Sequence, residues 1–429
     1  HVEFMPIYEY PLDASWGYQP SGFFSATSRY GSPDDLKFLI DHLHQSGIGV
    51  ILDIVPVHFV SDAFALGNYD GTALYEYPHP DVGFSEWGSY NFMHSRGEVR
   101  SFLQSMGAYW LDKFHIDGLR YDAASRLIYW QGEEDRGTID HTILFLKNMN
   151  QGLHDRFPEV ILIAEDSTSY PGVTRPVKDG GLGFDYKWDM GFMHDTLDFF
   201  KTAPWLRTEH YNKLTFSMMY FYNEHYMLPF SHDEVVHGKA TISQKMFGDY
   251  EEKFPQSRAL YMYMFAHPGK KLNFMGNDFA QLREWDEKRE QDWPLLIYPN
   301  HDSHLAFFKA LNHLYLEYPE LYEGEYNPEA YQWVVVDDGL GVVYAFYRGL
   351  GKRKIFFVFN LCGQVYDFYT FDLQGGLIKE ELLNSDWEEF GGKTARPDDK
   401  NQTWYYDAEK KLHGLTLQAY NGRAFLVEF

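Results

Sequence analysis

Along residues 1–320, short apolar runs alternate with amphipathic stretches of helical period, and the runs break off at charged or hydroxyl-bearing side chains. Residues 2–7, 50–55, 116–122, 160–164, 183–186, 226–230 and 272–274 read as strands. Residues 33–45, 98–114, 140–156, 194–201, 257–265 and 303–315 read as helices. Nearly continuous apolar runs such as 50–55 suit parallel strands buried on both faces. Strands alternating with helices imply βαβ units and a parallel sheet. In a closed sheet of this kind, the polar residues just after the strands gather at one rim, where (β/α)8 barrels carry their active sites. Seven strand candidates are present, not eight. The expected fold class is therefore α/β: a (β/α)8 barrel that lacks its first strand in this chain.

Local signals support the alternation. Ser32-Pro33-Asp34-Asp35 has the form of a helix start, with serine at the cap and proline at the first helical position, and Asp140 is a second candidate cap. From 59 to about 94 the periodicity is lost and Gly, Pro, Tyr and Trp dominate, which predicts an irregular excursion. Beyond about 320 the pattern changes to short β-type runs at 331–336, 341–347, 354–360, 415–419 and 424–429. These predict a separate antiparallel β-sandwich. The domain organisation read from the sequence is thus a catalytic barrel over 1–320 and an all-β domain over 321–429.

Charge narrows the partners. Lys and Arg total 37 against 62 Asp and Glu, a formal net charge of −25. Such a surface repels phosphate backbones and anionic lipid, which argues against nucleic-acid and membrane partners but not against a neutral polyhydroxyl substrate. The single cysteine, Cys362, excludes an intramolecular disulfide and reads as a buried, inert thiol, in keeping with a reducing cytoplasm. No apolar run is long enough to span a bilayer. The chain opens on His1, already reading as strand, so the natural protein is expected to begin upstream.

The chemistry centres on residues 114–125. Alternation places Gly118, Arg120 and Asp122 on one face and Leu119 and Tyr121 on the other. A guanidinium two residues before a carboxylate favours its ionised form, which suits a nucleophile. Taken alone, this stretch fits a structural Arg–Asp pair equally well. Three other strand ends add to it: Asp53-Ile54-Val55-Pro56-Val57-His58, Ile163-Ala164-Glu165-Asp166-Ser167 and Leu228-Pro229-Phe230-Ser231-His232-Asp233-Glu234.

In content and order these four regions resemble the α-amylase superfamily, glycoside hydrolase family 13. The resemblance is closer to its glucan-branching members. It extends to Trp16-Gly17-Tyr18-Gln19, Thr27-Ser28-Arg29-Tyr30-Gly31, Gly183-Phe184-Asp185-Tyr186-Lys187-Trp188-Asp189-Met190-Gly191, the run from Ser231 to Lys239, and Phe274-Met275-Gly276-Asn277-Asp278-Phe279.

The resemblance implies that Asp122 is the nucleophile, Glu165 the general acid/base and Asp233 the transition-state stabiliser. It implies that Tyr18, Asp53, His58, Arg120 and His232 line the subsite of the reacting sugar. The implied activity is retaining transglycosylation: an α-1,4 linkage is cleaved through a glycosyl-Asp122 intermediate, and the chain passes to a 6-hydroxyl as an α-1,6 branch. An α-1,4-glucan is the implied partner, with no cofactor, and a monomer is expected. The resemblance further implies an N-terminal β-sandwich module and the first barrel strand upstream of this chain.

Departures from the family pattern are informative. Val57 stands where many amylases carry a calcium-binding Asn, so no such metal site is expected. Ser125-Arg126 stands where hydrolytic members carry Lys-His, which favours transfer over hydrolysis. Asp166, Asp278 and Ile54 replace residues more usual in branching members. A hydrolase of the same superfamily, a non-catalytic glucan-binding protein, and zinc ligation by His58 and His232 are the competing readings. Trp87, Trp188, Trp285 and Trp293 are expected in the core, and Tyr18 and Trp16 toward ligand.

Overall fold

The structure is a computed structural model that describes residues 1–336, 339, 342–397 and 403–429. The chain divides into two units, His1–Trp188 with Asn223–His225, and Asp189–Tyr222 with Tyr226–Phe429.

In the first unit the parallel strands β1 (Val2–Phe4), β2 (Val50–Ile54), β3 (Gly118–Tyr121), β4 (Ile161–Ala164) and β5 (Tyr186–Trp188) neighbour one another in chain order. Helices α1 (Pro33–Gln45), α2 (Gly97–Phe114) and α3 (Asp140–Arg156) connect successive strands. Register sorts the side chains onto two faces. Leu52 lies opposite Leu119, and Leu119 opposite Leu162. This face packs with Leu103, Met106, Trp110, Phe145 and Met149 from α2 and α3 into one apolar core. On the other face Ile51 lies opposite Gly118, Asp53 opposite Arg120, and Arg120 opposite Ile163. Glycine is required at 118, since a Cβ there would sit 2.9 Å from the Ile161 carbonyl oxygen and 3.1 Å from Ile51 Cγ1.

The start of α1 is a capping box, in which the Asp35 N–H donates to Ser32 Oγ and the Ser32 N–H to Asp35 Oδ2. Asp140 is not a cap: it is the first helical residue of α3, and the cap position falls on Ile139, whose side chain has no acceptor. The strand expected at 183–186 is displaced to Tyr186–Trp188. Gly183, at φ +81°, lies in irregular backbone before the strand, and the Asp185 carboxylate accepts from the Leu162 N–H at 2.7 Å. The irregular stretch holds an antiparallel pair, His58–Val60 with Ser89–Asn91, and a short helix at Pro80–Gly83.

The second unit carries the parallel strands β6 (Tyr226–Phe230) and β7 (Lys270–Asn273), with helices α4 (Met190–Lys201), α5 (Tyr250–Ala266) and α6 (Pro299–Glu317). The sequence reading began α5 only after Pro255. The Asp249–Glu252 capping box starts it earlier and keeps the proline inside.

Eight antiparallel strands follow among the described residues. They are β8 (Tyr331–Val335), β9 (Val343–Arg348), β10 (Arg353–Asn360), β11 (Tyr366–Phe371), β12 (Leu377–Asn384), β13 (Trp404–Asp407), β14 (Leu412–Leu417) and β15 (Asn421–Glu428). One sheet runs β8-β9-β10-β15-β12 and the other β11-β14-β13. Alternation along the larger sheet turns Tyr344, Phe346, Phe357 and Phe359 toward α5 and α6, and Phe356, Val358 and Phe425 toward Phe371, Leu415 and Leu417 of the smaller one. The run expected from 341 has its first residue outside the described residues. Cys362 is half-buried rather than fully buried, with its thiol 3.2 Å from Asn360 Oδ1.

Candidate active site

Three adjacent strands of the first unit end in carboxylates, and one guanidinium joins them. Arg120 on β3 is completely buried. Its Nη1 donates to Asp53 Oδ2 at 2.8 Å and to Asp122 Oδ1 at 3.0 Å. Its Nη2 lies 3.0 Å from Glu165 Oε2 as an ion pair. The guanidinium carbon sits 4.2 Å from the centre of the Trp188 ring, a cation–π contact in a desolvated place. A planar fork with donors on both nitrogens can do this; a point-charge ammonium cannot.

The backbone fixes the carboxyls in turn. The Asp122 N–H donates to the Ile54 carbonyl, and the Glu165 N–H to that of Tyr121. Just after β3 the Ala123 N–H donates to Glu165 Oε2 at 2.7 Å. Ala123 adopts φ +45°, a conformation uncommon for a residue with a Cβ. The Asp122 and Glu165 side chains retain 15% and 19% of their exposure, against 3% for Asp53, so the first two remain open to a ligand.

Tyr18 reaches this cluster from the ring-rich loop and donates its hydroxyl to Asp53 Oδ2 at 2.6 Å. His58 supports that loop: its Nε2 is 2.8 Å from the Tyr18 carbonyl oxygen, which assigns the proton to Nε2. Burial pulls the His58 imidazole down to about 4, so it is neutral at pH 7. Beside it stands Trp87, 44% exposed rather than in the core, with Arg126 stacked on its ring at 4.2 Å. Arg126 also donates to Gln131 at 2.8 Å and pairs with Glu86. Trp188 is buried as expected; Trp293 is 48% exposed. Asp166, next to Glu165, forms a buried pair with Lys187 on β5 at 2.8 Å.

Sequence reasoning left out Trp87, Trp188 and Lys187 as neighbours of the site, and singled out Arg126 only as standing where hydrolytic members carry Lys-His after the nucleophile.

In the second unit His232 and Asp233 follow the end of β6, with His232 Nε2 3.4 Å from Asp233 Oδ1. The loop after them is cradled by Glu284, whose carboxylate accepts from the Gly238 and Ala240 N–H groups, and by Lys245, which donates to the Glu234 and Ala240 carbonyls. A cavity of about 830 Å³ in this unit, between α6 and β12, contains none of the expected site residues.

Four buried histidines give a stability prediction. Burial holds His58 and His94 down to about 4, and His267 and His304 down to about 3. Unfolded imidazoles titrate near 6.5. Below that pH the unfolded chain takes up protons that the folded chain does not, so stability falls as pH drops from about 6.5 toward 4. The slope reaches about 1.4 kcal/mol per pH unit for each histidine. Urea midpoints at pH 7 and 5 check this, and His304→Gln is expected to reduce the loss. A midpoint unchanged between the two pH values would contradict it.

The family described as alpha amylase, catalytic domain, matches residues 2–69, and alpha amylase, C-terminal all-beta domain, matches 333–428. The alpha-amylase from Geobacillus thermoleovorans, solved with acarbose, aligns over 100% of this chain and 88% of its own, with TM-score 0.72 and 15% identity, a likeness of fold. Parallel strands alternating with helices, followed by an all-β domain, with both family models matched, define an α-amylase-class protein. The 1,4-alpha-glucan branching enzyme GlgB of Fusobacterium nucleatum subsp. nucleatum is 46% identical over 434 residues, covering 100% of this chain and 68% of the relative. That of Myxococcus xanthus is 44% identical over 411 residues, covering 91% of this chain and 55% of the relative. The chain belongs to the 1,4-alpha-glucan branching enzyme GlgB family. It spans 55% to 68% of the length of these two curated relatives.

Proposed function

We propose that this chain carries the catalytic machinery of glucan branching, with the barrel over 1–320 and the all-β domain over 321–429. The observation that carries the reading is Arg120, whose guanidinium joins Asp53, Asp122 and Glu165. Two carboxyls held by the two terminal nitrogens of one guanidinium are near neighbours. Retaining glycoside chemistry needs this, with roughly 5–5.5 Å between the two carboxyl groups.

In the proposed reaction Asp122 attacks the anomeric carbon of an α-1,4-linked glucose. Glu165 gives its proton to the leaving 4-oxygen, and a glycosyl-Asp122 ester forms. Glu165, now a carboxylate, takes the proton from an incoming 6-hydroxyl, which displaces Asp122 and closes the α-1,6 bond. Asp53, Tyr18 and Arg120 line the subsite of the reacting sugar and His58 braces the Tyr18 loop; His232 is assigned sugar binding and Asp233 stabilisation of the oxocarbenium-like transition state. The substrate is an α-1,4-glucan, the reaction uses no cofactor, and the protein acts in the cytoplasm as a monomer.

Transfer is favoured over hydrolysis by the acceptor side of Asp122. Arg126 stacked on Trp87 offers a flat, partly exposed surface for an acceptor sugar. Proton NMR of linear amylose, read with a reducing-end assay, tests the proposal. Growth of the α-1,6 anomeric signal with constant reducing ends is expected. Rising reducing ends without that signal would identify a hydrolase instead.

A further inference from the structure

Glu3 belongs to the same cluster, though neither its position in the sequence nor the proposed chemistry assigns it a part. On β1 it lies opposite Ile51 of β2. Opposite residues of a parallel pair point to the same side, so Glu3 shares the face of Ile51 and, two residues on, of Asp53. Asp53 lies opposite Arg120, and Asp122 and Glu165 follow on the neighbouring strand ends. Four carboxyls then stand around one guanidinium.

Two further observations bear on the state of Glu3. Its Oε2 is buried with no donor in reach, a place that a carboxylic acid tolerates far better than a carboxylate. Burial first, and the Asp53 carboxylate second, hold its carboxyl well above the usual carboxylate range, against the opposing pull of Arg120. Register brings the Glu3 side chain to the same face as that of Asp53 on the adjacent strand, where a hydrogen bond between the two carboxyls can form. Two carboxyls can share such a bond only if one carries the proton. Asp53 accepts from both Arg120 and Tyr18 through Oδ2, so it is the member better stabilised as the anion.

We propose that Glu3 is a positioning residue: a neutral carboxylic acid whose O–H donates to Asp53 and fixes the carboxylate that Tyr18 and Arg120 share. It thereby sets the orientation of the Tyr18 ring and of the Arg120 fork without touching the sugar. The inference rests on the branching reading only for its activity readout.

The test compares Glu3→Gln and Glu3→Met in the full chain. Gln is always neutral and can donate through its amide, so turnover of amylose stays within about threefold of the parent. Met has similar length and no donor, so kcat/KM falls by about 10- to 100-fold, the effect expected for a hydrogen bond to a charged group. Loss of activity in both variants would mean that the ionised carboxylate is needed, and full activity in both would mean that Glu3 only fills space. Either result overturns the proposal. Infrared difference spectra between parent and Glu3→Gln at pH 7 provide a readout that needs no turnover and no Met variant. A protonated-carboxyl C=O band lost on substitution supports the proposal, and its absence refutes it. Should the parent prove inactive on amylose, the branching reading fails while the infrared band still decides the state of Glu3.

Discussion

Replacing Asp122 by Asn is expected to reduce turnover of amylose by on the order of 10⁴-fold or more, with glucan binding retained. The amide has the size of the carboxylate, and its oxygen can still accept from Arg120 Nη1, which lies 3.0 Å from Asp122 Oδ1 in the parent. What it lacks is the anionic oxygen that forms the glycosyl ester in the proposed reaction, and losing a covalent nucleophile costs several powers of ten. Asp53 and Glu165 still compensate the guanidinium, so the fold is expected to hold. Glu165→Gln should match this loss for unactivated glucans and recover part of it on substrates with a good leaving group, which need less protonation. Initial rates on amylose, with glucan affinity measured in parallel, check both variants. Turnover of Asp122→Asn within tenfold of the parent would rule out the proposed intermediate.

The second large effect is on stability. Arg120→Met leaves Asp53, Asp122 and Glu165 without their shared cation at a site where the arginine itself is completely buried. Breaking a buried ion pair from one side costs about 3–5 kcal/mol, because the remaining charge is uncompensated. Protonation of the carboxyls would moderate the cost at low pH, so the destabilisation should shrink between pH 7 and pH 5. Arg120→Lys separates charge from geometry. One ammonium restores the cation but cannot face three carboxyls and the Trp188 ring together. Lys is therefore expected to recover most of the stability and little of the activity. Urea unfolding at the two pH values measures the first part and amylose turnover the second. A Met variant within about 1 kcal/mol of the parent would show that Arg120 carries less of the cluster than its contacts indicate.

Much of the architecture was legible in local pattern. The parallel strands Ile161–Ala164 and Tyr226–Phe230 lie where apolar runs end in polar clusters, because a strand buried on both faces is apolar along its length and turns polar only at its exposed end, whereas β7 is Lys270–Asn273 rather than the expected 272–274. The Ser32 cap was legible because it depends on residues three apart. The reading failed where partners are distant. The run Leu377–Asn384, with two glutamates and a lysine, has little local strand character. It is β12 because β15 pairs along it, with register shifts between Ile378 and Glu380 and between Glu381 and Leu383. The ring-rich strand Tyr366–Phe371 is held by pairing with β14. Trp87 was assigned to the core on its residue type. Its actual place depends on Arg126 stacking against it.

For the candidate site, residue types and their order along the chain were determined by the sequence itself: Arg120 two residues before Asp122, and carboxylates closing the strands at Asp53 and Glu165. Those relations are short-range, and the period of a strand is enough to read them. Tertiary structure decided which groups share a proton or a cation. That Arg120 serves three carboxyls and that Glu3 joins Asp53 follow from register between strands far apart in the chain, and that His58 is committed to the Tyr18 carbonyl follows from a loop brought against it. A one-residue slip in any of those registers would turn the side chain to the opposite face, and register is set by the packing of the whole sheet.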